Sequence, residues 1–80
     1  MPKHLKTLAG IREVAANLKW QDIESLLRSL GAVVEEREGS RVCVKLDDNV
    51  AVFHRPHPSP EAKRSTVRSV KKFLEKAGRL

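Results

Sequence analysis

The spacing of apolar residues changes twice along this 80-residue chain, and these changes limit the folds that it can adopt. Between residues 20 and 30 apolar side chains recur every three or four positions, which indicates an amphipathic helix. From Arg41 to Leu46 apolar and polar residues alternate, as in a strand with one buried face. From Val67 to Ala77 the helical spacing returns. The pattern predicts an α+β fold.

The sequence predicts six elements in the order α-α-β-β-β-α. The predicted ranges are helices at 3–16 and 20–30, strands at 32–37, 41–46 and 50–55, and a last helix that begins between Ser59 and Ser65 and ends at Ala77. Gly31 and Gly78 follow helical stretches, where glycine commonly ends a helix. The turns between the strands are short, so we expect an antiparallel three-stranded meander. Prolines at 56, 58 and 60 follow the third strand, and proline cannot donate to the hydrogen-bond ladder.

Two or three helices can cover only one face of a three-stranded sheet, so the other face is expected to meet solvent. The alternation in the second strand places Arg41 and Lys45 on that uncovered face. In the third strand, the register with Phe53 in the core turns His54 outward beside them. The other register buries Val50 and Val52 and leaves His54 partly buried. We favour the first, because a phenylalanine in so small a core rarely stays exposed.

The excess positive charge lies entirely in the last 31 residues. Residues 50–80 contain eight Lys or Arg and two acidic residues, whereas residues 1–49 contain eight of each sign. A sequence pI near 10.0 favours a nucleic acid over an acidic protein as partner. Eighty residues form one domain, and we expect no signal peptide and no membrane-spanning segment. Cys43 is the single cysteine, so an intrachain disulfide is excluded and a cytoplasmic location is expected.

Two histidines, His54 and His57, lie in this basic half of the chain. Cleavage of RNA without a metal needs a base for the 2′-hydroxyl, an acid for the leaving oxygen and cations for the phosphorane. Histidine suits the first two tasks because its charge changes between pH 5 and 8. Arginine and lysine suit the third. His54 can equally be a solvated edge residue, and His57 can brace the helix that follows it.

A metal site at His54 and His57, with Cys43 as a third ligand, is the competing interpretation of the same residues. The two histidines lie on an extended segment with proline on both sides of His57, and no carboxylate is close in sequence. We therefore expect neither a metal nor another cofactor. Cys43 is interpreted as a small strand residue.

Taken together, these segments resemble the HicA family of toxins from bacterial and archaeal toxin–antitoxin pairs, over roughly residues 19–79. The resemblance is carried by the helix from Trp20 to Leu30 with Gly31-Ala32, by Glu38-Gly39-Ser40-Arg41, by Pro56-His57-Pro58, and by Thr66-Val67, Val70, Leu74 and Ala77-Gly78. It implies a small fold like a double-stranded-RNA-binding domain, with helices on one side of a three-stranded sheet. It also implies cleavage of messenger RNA and inhibition by a HicB-like antitoxin that covers the toxin.

The chain departs from the family pattern at Arg41. The family's turn usually reads Gly-Ser-His, with the histidine as catalytic residue, and arginine cannot replace it as a base because it stays protonated. Arginine can still bind a phosphate. Three explanations follow: His54 or His57 supplies the base, the protein binds RNA without cutting it, or it is an attenuated toxin. Residues 1–18 are a helical extension that precedes the HicA-like domain at 19–80, within one structural domain.

The leading prediction is a metal-independent endoribonuclease toxin. Its expected catalytic residues are His54, His57 and Arg41, and its expected RNA-binding residues are Ser40, Arg41, Lys45, Arg55, Lys63, Arg64, Arg68, Lys71 and Lys72. The alternatives are a non-catalytic RNA-binding module and a protein whose main partner is an acidic antitoxin, with homo-oligomers only within the toxin–antitoxin complex. A DNA-binding role ranks lower, because no helix-turn-helix with base-reading residues is recognisable.

Overall fold

A computed structural model describes residues 3–56 and 59–80 of the chain. Its elements are α1 (Lys3–Arg12), α2 (Trp20–Ser29), β1 (Val33–Glu36), β2 (Arg41–Leu46), β3 (Asn49–His54) and α3 (Arg64–Lys76). This order confirms the predicted α-α-β-β-β-α arrangement and the α+β class. None of the described helices is long and apolar enough to cross a membrane.

The three strands form one antiparallel sheet in the order β1-β2-β3. The helices lie against one face of it: α2 packs on β1, α3 packs on β3, and α1 packs on both of these helices. Val42, Val44 and Leu46 of β2 point into this helical side and are buried. Phe53 is buried as well, whereas His54 is exposed. The register with Phe53 in the core is therefore confirmed.

An aromatic group joins the two layers at the centre of the core. The ring of Phe53 lies 6.1 Å from that of Trp20 and 5.8 Å from that of Phe73, the latter in an edge-to-face arrangement. Such pairs stabilise a core beyond the area that they bury. Ile11 of α1 is fully buried in the same cluster. The N-terminal helix therefore contributes to the same core as the rest of the chain.

All three helices end with the same pair of backbone hydrogen bonds, and this explains why α1 is shorter than predicted. Gly31 and Gly78 adopt positive φ directly after α2 and α3, as expected. After α1 that position is held by Val14, with φ 51°. The amides of Val14 and Ala15 donate to the carbonyls of Ile11 and Gly10, at 3.0 and 2.9 Å. The prediction of helix up to residue 16 is therefore wrong beyond Arg12, because nothing in the apolar spacing signals a left-handed valine.

The segment between β3 and α3 is fixed to the start of α2. The Trp20 amide donates to the Pro60 carbonyl at 3.0 Å, and the Ala62 amide donates to the Leu18 carbonyl at 2.7 Å. Ala62 is buried. These contacts place α3 so that it begins at Arg64, within the predicted range. The predictions about His57 and Pro58 fall outside the described residues.

Candidate nucleic-acid interface

The uncovered face of the sheet is apolar at one end and cationic at the other. Strand register and alternation arrange its side chains in three rows across β1, β2 and β3: Val33, Lys45 and Val50; Glu35, Cys43 and Val52; and Arg37, Arg41 and His54. The three valines of this face are each more than half exposed. Sequence alternation predicted the positions of Arg41 and Lys45 correctly. The favoured register, with Phe53 in the core, also implied that Val50 and Val52 are exposed, whereas no face was predicted for Val33.

Arg41 and His54 lie directly opposite each other on β2 and β3. The Arg55 amide donates to the Ser40 carbonyl at 2.8 Å, so residues 40 and 55 form a hydrogen-bonded pair. The next pair along an antiparallel ladder is then of the non-hydrogen-bonded kind, in which side chains come closest. The Cβ atoms of such pairs are about 4.5–5.5 Å apart. The side chains of Arg41 and His54 therefore leave the sheet from adjacent positions, and both residues are exposed.

The turn before β2 orients the Arg41 side chain. Gly39 and Ser40 both adopt positive φ, 68° and 64°, as do the two central residues of a type I′ turn. The Arg41 Nε donates to the Glu38 carbonyl at 3.1 Å, which directs the guanidinium along the turn. Among residues 3–56 and 59–80, no carboxylate lies within ion-pairing distance of Arg41, so its two terminal nitrogens are available to an anion.

A groove runs along the free edge of β3, between this strand and α3. It is lined by Val52, Phe53 and His54 from the strand and by Ser65, Thr66 and Ser69 from the helix. A second, shallow hollow lies on the open face, lined by Arg37, Arg41, Cys43 and Val52. The two concavities meet at Val52, which lines both. We name the continuous surface of Arg37, Arg41, His54 and the three hydroxyl residues of α3 the cationic band.

The cations of α3 form two stripes that face different ways. With 3.6 residues per turn, side chains four and seven positions apart share a face. Ser65 and Ser69 line the groove, and the same face continues to Lys72 and Lys76. The other stripe consists of Arg64, Arg68 and Lys71, and lies farther from the groove. Of the predicted α3 residues, only Lys72 therefore lies on the same face of the helix as Ser65 and Ser69, and Lys76 lies there too.

Arg55 is placed differently from what its sequence position suggested. Its guanidinium pairs with the carboxylate of Glu36 and lies 3.8 Å from that of Glu24. By the alternation of β3 it lies on the side of Phe53, facing the helices, and not beside Arg41. Two acids already neutralise this arginine, so the structure does not bring it into the cationic band.

The other predicted residues lie at different distances from the Arg41–His54 pair. Ser40 is adjacent, in the turn, and exposed. Lys45 is four residues along β2 from Arg41, about 13 Å at the usual strand rise, and lies among the valines. Lys63 immediately precedes α3 and is exposed. Cys43 is buried and free, and the described part of the chain contains no cluster of three metal-binding side chains.

Sequence reasoning missed four residues of the cationic band. Arg37 lies opposite Arg41, and its amide donates to the Arg41 carbonyl at 2.7 Å. The strand predicted at 32–37 included Arg37, but its pattern did not assign the side chains to either face of the sheet. Ser65, Thr66 and Ser69 were unremarkable in the sequence, because only the packing of α3 beside β3 gives them a common groove.

A family model described as HicA toxin of bacterial toxin–antitoxin matches residues 20–78 of the chain. The chain belongs to the HicA toxin family. The match includes the turn with Arg41, the strand with His54 and all of α3, whereas α1 precedes it. As a HicA toxin of a bacterial toxin–antitoxin system, the chain has a cognate antitoxin as its implied partner. No curated protein and no solved structure matches the chain significantly.

Proposed function

We propose that this HicA-family chain binds messenger RNA along the cationic band and cleaves it without a metal. The observation that supports this most directly is the pairing of Arg41 with His54. The resemblance to the family implies a catalytic histidine at the position of Arg41, on β2. Here an imidazole occupies the position directly across the ladder instead, within one strand spacing of the usual place. The chain thus keeps an imidazole and a cation at the same end of the sheet.

The proposed reaction is a transesterification. His54 takes the proton of a ribose 2′-hydroxyl, and the 2′-oxygen forms a bond to the adjacent phosphorus. The bond from phosphorus to the 5′-oxygen breaks, leaving a 2′,3′-cyclic phosphate and a 5′-hydroxyl. The leaving oxygen takes its proton from a second acid, for which the sequence offers His57, or from water. Arg41 stabilises the negative charge that develops on the phosphorane oxygens, whereas Arg37 is already paired with Glu35 at 3.7 Å.

Cleavage of a purified messenger RNA by variant proteins tests this proposal. A positioned general base typically accelerates a reaction by about 10²–10⁴-fold, so His54→Ala should reduce cleavage by that factor with little change in RNA affinity. The matched control is His4→Gln, since His4 lies on α1 and bonds to Ser25 on the helical side. Equal cleavage by wild type and His54→Ala would contradict the proposed role of His54.

A second candidate function is RNA binding without cleavage, and the presence of Arg41 at the family's histidine position favours it. The cationic band would serve this function without any proton transfer. Wild type that binds RNA with an affinity falling steeply with salt, but cleaves none at any dose, would establish this candidate over the first.

We also propose that the cognate, HicB-like antitoxin binds the open face of the sheet. Val33, Val50 and Val52 are exposed there next to Lys45 and Arg41, which suits a partner that presents apolar side chains bordered by acids. Occupation of this face would also cover His54. The Val52→Glu variant should bind the antitoxin encoded beside this chain at least about tenfold more weakly. Leu5→Glu, at an equally exposed position on α1, is the control and should bind normally.

A further inference from the structure

The groove between β3 and α3 exposes backbone groups of the strand as well as side chains. Because residues 41 and 54 form a non-hydrogen-bonded pair, the amides and carbonyls of Val52 and His54 point away from β2, towards the free edge. The opposite wall consists of the side chains of Ser65, Thr66 and Ser69. The groove therefore offers donors and acceptors on both walls, above a floor formed by Val52 and Phe53.

Ser69 has a defined polarity in this groove. Its hydroxyl donates to the Ser65 carbonyl at 3.0 Å, so its single proton is committed to the helix. While this bond is made, the Ser69 oxygen presents lone pairs to the groove and can accept a hydrogen bond from a ligand that donates. A phosphate oxygen cannot donate, but the 2′-hydroxyl of a ribose both donates and accepts. Thr66, one turn away on the same wall, has a hydroxyl that can donate in return.

The size and charge of the groove narrow the choice of ligand further. Its volume is about 160 Å³, below the 300–1,000 Å³ of pockets that enclose a drug-sized ligand. It is also too small for several residues of an added protein strand. None of its six lining residues is acidic, so nothing in its lining repels the phosphates that flank a sugar. One sugar of a polynucleotide that also contacts Arg41 and His54 fits both the volume of the groove and the absence of acidic residues in its lining.

We infer that this groove is a ribose-binding subsite, in which Ser69 and Thr66 recognise the 2′-hydroxyl of the nucleotide next to the one bound at Arg41 and His54. The inference rests on the proposed RNA binding and adds to it a basis for choosing RNA over DNA. Lys72 and Lys76, on the same face of α3 as Ser69, each contact one of the phosphates that follow. The protein would therefore distinguish RNA from DNA by contacts with the sugar and not by contacts with the bases.

The experiment compares three short single-stranded oligonucleotides of one sequence: RNA, DNA and 2′-fluoro RNA, whose sugar lacks the hydrogen-bond donor. Their affinities are measured by fluorescence anisotropy before cleavage proceeds, for wild type, Ser69→Ala, Thr66→Val and the double variant. Thr66→Val keeps the shape of the side chain and removes only the hydroxyl. Ser29→Ala is the matched control, because its hydroxyl also donates to a carbonyl of its own helix, far from β3. Circular dichroism verifies that each variant is folded.

Wild type should bind RNA more tightly than the other two oligonucleotides. Each groove variant should lose about two- to tenfold in RNA affinity, the value of one hydrogen bond, and bind DNA and 2′-fluoro RNA as before. Equal affinity of wild type for RNA and 2′-fluoro RNA would overturn the ribose subsite while leaving RNA binding intact. So would a double variant that loses affinity for all three equally. If wild type binds none of them, the proposed function fails, and the subsite fails with it.

Discussion

At the scale of single residues, the juxtaposition of Arg41 and His54 on neighbouring strands is the most informative feature of the chain. The two are register partners, so moving the imidazole from β3 to β2 displaces it by only one strand spacing. In the His54→Ala background, Arg41→His should therefore raise the cleavage rate by about tenfold or more, since it recreates the Gly-Ser-His turn that the family resemblance implies. Cleavage rates on one messenger RNA measure this. The double variant Arg41→His/His54→Arg should cleave at least as fast as His54→Ala/Arg41→His.

No recovery in either double variant, with RNA affinity intact, would mean that an imidazole at position 41 cannot replace the one at position 54. His57→Ala, made in the wild-type background, separately tests whether His57 supplies the proton for the leaving oxygen.

Ser40 shows the cost of the turn that positions Arg41. Its φ of 64° lies in the left-handed region, which costs a residue with a Cβ about 1–2 kcal/mol. Ser40→Val should lower the free energy of unfolding by about 1–2 kcal/mol, because a β-branched side chain suits this region least. Ser40→Asn should be nearly neutral, since asparagine tolerates it. Urea titration followed by the fluorescence of the single tryptophan, Trp20, measures both; equal stability of the two variants would contradict the argument.

At the scale of secondary-structure elements, the sequence predicted what depends on periodicity and missed what depends on packing. The strands, α2 and α3 followed from apolar spacing, and the outward orientation of His54 followed from the need to bury Phe53. The end of α1 could not be predicted from apolar spacing, since Val14 adopts a positive φ, a conformation that is usual for glycine. The groove could not be predicted either, because Ser69 and His54 are neighbours only through the way α3 packs beside β3.

The helix α1 lies outside the segment that matches the family, yet it should be needed for stability. Ile11 is fully buried, and truncation of such a residue typically costs 2–5 kcal/mol, so Ile11→Ala should destabilise the fold by about that much. Leu5→Ala, on the same helix but half exposed, should change stability by less than about 1 kcal/mol. Urea unfolding distinguishes the two. Similar small losses in both would mean that α1 is dispensable for the fold.

At the scale of the whole molecule, folding redistributes the charge that the sequence concentrates in one segment. Arg55 and Arg79 of the basic half pair with Glu24, Glu36 and Asp47, all from the first 49 residues. Arginines from the basic part of the sequence thus form ion pairs with acidic residues from the neutral part. The number of charges in a segment does not reveal which of them form ion pairs. For this reason Arg55 was predicted to bind RNA, whereas in the structure it forms ion pairs that link the helices to the sheet.

The salt dependence of RNA binding should depend on which cations contact phosphate and not on the net charge of +6. Each phosphate contact with a single strand contributes about −0.7 to the slope of log affinity against log salt, so Arg41, Lys72 and Lys76 together predict a slope of about −2. The double variant Lys72→Ala/Lys76→Ala should reduce that slope by about 1.4, through two lost contacts. Arg64→Ala/Arg68→Ala removes the same charge from the other stripe and should leave the slope nearly unchanged, as should Arg55→Gln. Equal slopes for the two double variants would mean that RNA responds to the total charge of α3, and that the groove-side stripe has no special role.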